Sequence, residues 1–159
     1  MPHINELYDF TVSFYILHPT EKKLCLHYHR KLESWTQLGG HIELDENPME
    51  SLERELLEEA GLSKDNYMVV ADENYPKLTN TTSFPAPFSL VVYQYGNSAH
   101  RHIDMPYVIQ SRIPNLSPQG GESMQIDWFS IDEIRKMTSE NKIQKPSLDM
   151  FEWVFKNYM

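Results

Sequence analysis

The sequence predicts an α/β protein in which a mixed β-sheet is sandwiched between α-helices (α/β/α), and three observations carry that expectation. Short apolar runs rich in β-branched and aromatic residues recur along the chain, one segment of its first half carries a fully punctuated helix pattern, and two further helical patterns close it. Strands and helices in this order fit a sheet covered on both faces.

Phe10 to Leu17 form the first such run, which stops at His18-Pro19-Thr20 and so reads as a strand and a turn. Leu24, Leu26 and Tyr28 then alternate with Cys25, His27 and His29, the period-two pattern of a second strand, and the two make a hairpin. Gly39-Gly40 closes a short segment around Trp35 to Leu38. The helix that follows is expected over Pro48–Ala60, with Asn47 as N-cap, Pro48 at the first position, Glu50 completing a capping box and Gly61 as the left-handed stop. Further strands are expected at 67–71, 88–95, 103–109 and 124–129, with a Pro-rich loop at 73–86 and helices near 131–137 and 146–158.

The chain has 159 residues, 40% of them hydrophobic, which is the size of one domain (residues 1–159) with one core. Its formal net charge of -9 repels phosphate backbones, and no Lys/Arg run offsets that, so nucleic acid is excluded as a partner. An acidic chain can still take a phosphorylated small molecule if divalent cations reverse the field inside its site. Cys25 is the only cysteine, which rules out an internal disulfide and a cysteine zinc cluster and points to a reducing compartment, the cytoplasm by default. Met1 to Phe10 lacks a signal-like apolar run, and nowhere do about 18 apolar residues run together, so no membrane partner is expected. A homodimer is compatible with these features.

Glu55, Glu58 and Glu59 stand at i, i+3 and i+4 of the expected helix, within an arc of about 100°. Met49, Leu52, Leu56 and Ala60 fill the neighbouring arc, so one side buries and the next presents carboxylates. Carboxylates roughly 6 Å apart repel by about 3 kcal/mol per pair at an effective dielectric near 20, and Arg54 alone does not neutralise three of them. A hard divalent cation does, and oxygen-only ligands suit Mg²⁺, with Mn²⁺ as a substitute, sharing its remaining positions with substrate phosphates.

The plain alternative is a solvated helix face, and the surrounding residues set it aside. Gly40, five residues, Glu46, seven residues, Arg54-Glu55-Leu56, one residue, Glu58-Glu59, one residue, Gly61-Leu62 resembles the Nudix box with every defining position filled. Chance would give such a match with odds on the order of one in ten million. The motif covers residues 40–62, and the strand order around it is similar to the Nudix fold over nearly the whole chain.

The resemblance implies a Nudix hydrolase that cleaves the diphosphate bond of a nucleoside diphosphate linked to another group. Metal binding falls on Glu55, Glu58 and Glu59, with the Gly39 carbonyl as a further ligand ahead of Gly40. Arg54 orients the cluster and Glu46 braces loop to helix, so that neighbours fix the ligand geometry. One departure is Leu38-Gly39-Gly40 where relatives often have Pro-Gly-Gly. The carboxylate that takes the proton of the attacking water lies in the box or in a later loop; Glu122, after Gly120-Gly121, stands where such an outside glutamate is often found and is a candidate base or ligand.

Weaker signals remain. The i, i+2 pairs His27/His29 and His100/His102 each share a strand face and are spaced to reach one ion, but with no cysteine beside them ordinary hydrogen bonding is the expected reading. His102-Ile103-Asp104 with Tyr107 is similar to a segment of some nucleotide-sugar and ADP-ribose-type Nudix enzymes. Arg30 and Lys31 are candidates to meet phosphate, and Phe84, Phe88 and Tyr93 to stack a base. Two rivals stand beside hydrolysis. A non-catalytic nucleotide-binding regulator would be expected to lose box carboxylates, and an allylic diphosphate isomerase would need a positioned Cys that Cys25 does not obviously supply.

Overall fold

The computed structural model describes residues 7–94 and 99–159. In chain order these form β1 (Tyr8–Leu17), β2 (Leu24–His29), β3 (Ser34–Thr36), β4 (Leu38–His41), α1 (Pro48–Glu55), β5 (Tyr67–Val70), β6 (Val91–Tyr93), β7 (Arg101–Ser111), β8 (Ile126–Phe129), α2 (Ile131–Ser139) and α3 (Lys145–Tyr158).

The sheet is mixed and runs β3-β2-β1-β7-β5. β1 is its axis. One edge of β1 pairs in parallel with β7 from Tyr8↔Arg101 to Leu17↔Gln110. Its other edge is shared by β4, antiparallel from Thr11↔His41 to Phe14↔Leu38, and by β2 at Leu17↔Leu24. β8 pairs with β2, and β6 with the start of β7.

Alternation along β1 divides the core between the two faces. Val12, Phe14 and Ile16 pack with Leu52, Leu56, Ala60 and Leu62 from the α1 side. Tyr15 and Leu17 point the other way, against Ile134, Phe151 and Val154 of α2 and α3. This is the expected α/β/α sandwich.

Three elements differ from the sequence expectation, the first being that Gly39 and Gly40 lie inside β4, paired with β1, rather than closing the segment before it. The helix begins at Pro48 as expected, but after Glu55 its last turn, Leu56–Ala60, widens to a π-helix before Gly61 ends it at φ 70°. The strand expected over 88–95 is confined to Val91–Tyr93, and Tyr95 lies outside the described residues. Phe88 stays out of it because its ring packs on Trp153, at 4.9 Å between stacked ring centres, while its N–H donates to the Pro106 carbonyl.

Candidate active site

The helix start is fixed by sequence. The Asn47 side chain accepts from the Met49 and Glu50 N–H groups, and the Glu50 carboxylate accepts from the Asn47 N–H, which closes the capping box. That entry sets the rotation of α1 and turns Arg54, Glu55, Glu58 and Glu59 toward the loop after β4.

Arg54 is the hub. Its Nε and Nη2 donate to the two Glu46 oxygens at 2.5 and 2.9 Å, its Nη1 to Glu55 Oε1 at 2.7 Å and Glu58 Oε2 at 3.2 Å, and its Nη2 to the His41 carbonyl at 3.1 Å. One guanidinium thus ties the brace, two box carboxylates and the end of β4, a use of its planar fork that Lys would not match. The hydrogen bond from Arg54 holds the Glu46 carboxyl below its ordinary range.

Glu59 is buried, and its Oε2 accepts from the Gly39 N–H at 2.8 Å. Burial pushes its pKa up from 4.5 to about 8, the Gly39 N–H opposes that rise, and Glu55, Glu122 and Glu58 add to it. Glu55 is also raised, by burial first and against the pull of Arg54. At Gly40 a Cβ would run into the Glu55 carboxylate, so glycine there lets β4 lie this close to the helix.

Glu122 reaches the cluster through its loop. The Ser117 N–H donates to the Ala60 carbonyl at 2.9 Å and the Gln119 N–H to the Glu58 carbonyl at 2.8 Å. Both acceptors belong to the π-turn, so the loop is tied to the helix end. Glu122 then lines a recess with His27, Arg30, Lys31 and Glu59. His27 Nδ1 lies 3.8 Å from Glu59 Oε1, yet burial lowers its pKa to about 4, so the contact joins neutral groups rather than an ion pair.

A second, larger cleft of about 530 Å³ adjoins on the other side of the glycine loop, walled by Thr11, Ser13, Lys31, Gly39, Gly40, His41, Tyr93, His102 and Asp104, among others. Tyr93 stacks on His102 at 5.0 Å. Asp104 is buried and accepts from Thr11 Oγ1 and Ser13 Oγ at 2.7 and 2.6 Å.

The carboxylates, Arg54, Gly39 and Gly40 are therefore brought together as the sequence suggested, with Glu122, Arg30 and Lys31 beside them and His102 in the cleft wall. Phe84 and Phe88 line neither recess: Phe84 is half-buried in the long loop, and Phe88 packs against Tyr15 and Trp153. Sequence reasoning missed Asp9 and His41. The polar residues Asp9, Thr11 and Ser13, at every second position of an otherwise apolar strand, are the signal that was there to find.

The four carboxylates offer oxygen donors only, crowd one another and meet one guanidinium, which is a donor set that fits Mg²⁺. This fold and this constellation define a phosphate-processing α/β/α hydrolase class. The family model of the NUDIX domain matches residues 8–153, and the chain belongs to the Nudix family of pyrophosphohydrolases. Among solved structures it is similar to a hydrolase of the NUDIX family from Clostridium perfringens, at 28% identity and TM-score 0.75 over 96% of this chain and 99% of that one. It shares the fold of the C. elegans Ap4A hydrolase, at 13% identity and TM-score 0.66 over 91% of this chain and 93% of that one. The NUDIX domain of Shewanella oneidensis NrtR, complexed with ADP ribose, aligns at 14% identity and TM-score 0.68 over 100% and 94% of the two chains. No curated protein matches the sequence significantly. Among the described residues no helix is long and apolar enough to cross a membrane.

Proposed function

We propose that this protein is a Mg²⁺-dependent hydrolase of a nucleoside diphosphate linked to another group, such as ADP-ribose, a nucleotide sugar, a dinucleoside polyphosphate or a dNTP. The observation that carries the reading is the convergence of Glu55, Glu58, Glu59 and Glu122, two of which line a recess together with Arg30 and Lys31. Mg²⁺, held by Glu55, Glu58 and Glu59 with the Gly39 carbonyl, would supply charge neutralisation of the diphosphate and activation of a water.

The chain's own groups have separate tasks. Arg54 holds Glu55 and Glu58 in place and draws on Glu46 to do so. Lys31 and Arg30, at the edge of the recess, meet the phosphate oxygens as point charge and fork respectively. Glu122 takes the proton of the attacking water at a carboxylate oxygen. Glu122 is given this task because Arg54 already engages Glu55 and Glu58 and the Gly39 N–H engages Glu59, so those carboxylates are committed to holding the cluster.

The test is a panel of the four substrate types with Mg²⁺ or Mn²⁺, with detection of released monophosphate or pyrophosphate, and a parallel set in excess chelator. Turnover of at least one type that disappears with chelator is expected. Tight binding without turnover of any diphosphate would overturn the reading in favour of a nucleotide-binding regulator.

A further inference from the structure

On the sheet face opposite α1, four side chains from three neighbouring strands converge where β1 and β7 start and β4 ends. Asp9 on β1 stands opposite His102 on β7, and Thr11 stands opposite His41 on β4, so register alone puts Asp9, His41 and His102 on one face. His100 lies two residues before His102. The donor atoms of Asp9, His100 and His102 all lie within 4.8 Å of one another. His41 Nε2 lies 3.1 Å from His102 Nε2 and 3.5 Å from Asp9 Oδ2, and His100 Nε2 lies 3.2 Å from that same Oδ2.

We propose that Asp9, His41, His100 and His102 form a second metal centre, a tetrahedral site for a borderline divalent ion of the Zn²⁺ type, distinct in chemistry from the glutamate cluster. The first support is geometric. Four ligands at about 2.0–2.1 Å from one ion are separated by edges of about 3.3 Å, and the three edges given above span 3.1–3.5 Å. Three of the six edges of such a site are thus already at metal-site length, and the others close as the ion draws the side chains in.

The second support is the donor set. Three imidazoles and one carboxylate suit Zn²⁺ and disfavour Mg²⁺, which seeks an all-oxygen octahedron. The two centres thus sort their cations by ligand softness, although His41 is joined through the chain to Gly40 of the box. The third support is burial. Asp9 and His102 are buried, and Tyr93 covers the His102 ring, which gives the ion a shielded, rigid seat.

With four protein ligands the centre is structural. It pins β4, and hence Gly39 and Gly40, to the starts of β1 and β7. His102 becomes a ligand rather than the substrate contact suggested by its sequence segment.

The experiment uses the full chain, saturated with Zn²⁺, dialysed against excess Mg²⁺ and analysed for bound zinc. One equivalent is expected in the parent and in Glu55→Gln/Glu58→Gln/Glu59→Gln, with Kd weakened at least about a hundredfold in His100→Ala/His102→Ala. Zinc content unchanged by the histidine substitutions, or lost with the glutamate substitutions, would overturn the proposal. Co²⁺ loaded into the unsubstituted chain gives a reading that does not depend on any variant folding. Strong visible absorption of tetrahedral cobalt supports the centre, and the weak spectrum of six-coordinate cobalt refutes it. Neither readout depends on hydrolysis.

Discussion

Replacing Glu59 by Gln tests whether this buried carboxylate costs the metal-free protein stability that a divalent cation restores. Burial raises its pKa from 4.5 to about 8. The folded protein therefore keeps a proton that the unfolded chain has already released, so stability is full below about pH 4.5 and declines until about pH 8. At 1.36 kcal/mol per pH unit that span corresponds to about 5 kcal/mol as an upper figure. Solvent reaching the recess beside Glu122 screens the charge and lowers the realistic figure to about 2 kcal/mol. For a chain of this length that is a loss of about 6 °C in Tm. Metal-free melts of the parent should drop by about that amount relative to Glu59→Gln between about pH 5 and pH 8.5, and Mg²⁺ should restore the parent at the upper pH more than it lifts the variant. Parallel curves for the two proteins across this range would refute the reasoning.

Glu58→Gln should keep the fold and lower kcat at least about a hundredfold, as loss of a ligand or acid/base group does; steady-state kinetics beside circular dichroism checks both halves. Glu122→Gln should lower kcat strongly, leave KM nearly unchanged and flatten the acidic limb of the pH profile, whereas recovery with added Mg²⁺ would make Glu122 a ligand instead of the base. Gly61→Ala should destabilise by about 1–3 kcal/mol, because its φ is 70° and a Cβ there strikes the Ser117 carbonyl; an unchanged denaturation midpoint would contradict this. Gly40→Ala should weaken Mg²⁺ activation by displacing the Glu55 carboxylate, read as a rise in the Mg²⁺ concentration for half-maximal rate.

Local signals accounted for most of what the sequence made legible. The capping box, the Pro48 start and the Gly61 stop lie within a few residues of one another and act through backbone geometry, so the helix limits could be read directly. The glutamate cluster was legible because helical spacing and the box pattern agree. The Asp9, His41, His102 group was not, since Asp9 and His102 are brought level only by the parallel β1/β7 pairing, and strand connectivity does not follow from pattern. Phe88 was misread as a base-stacking candidate for a related reason. Its aromatic partners, Tyr15 and Trp153, come from opposite ends of the chain, and packing chose them over the strand extension that local propensity favoured.

The widened last turn of the helix explains how one short segment serves both folding and chemistry. A regular α-helix would set Glu55, Glu58 and Glu59 along a single exposed stripe, yet Glu59 is buried while Glu58 stays half-exposed. In the π-turn from Leu56 to Ala60, Leu56 and Ala60 lie in the core while the Glu59 carboxylate accepts from the N–H of Gly39 in β4. The Glu58 and Ala60 carbonyls, among the last four of the helix and so without a partner inside it, accept from Gln119 and Ser117. The same turn that holds one buried carboxylate therefore anchors the loop that delivers Glu122. Its energetic cost is carried by the apolar contacts of Leu52, Leu56, Ala60 and Leu62 with β1, which explains why the carboxylate helix lies against the central strand of the sheet.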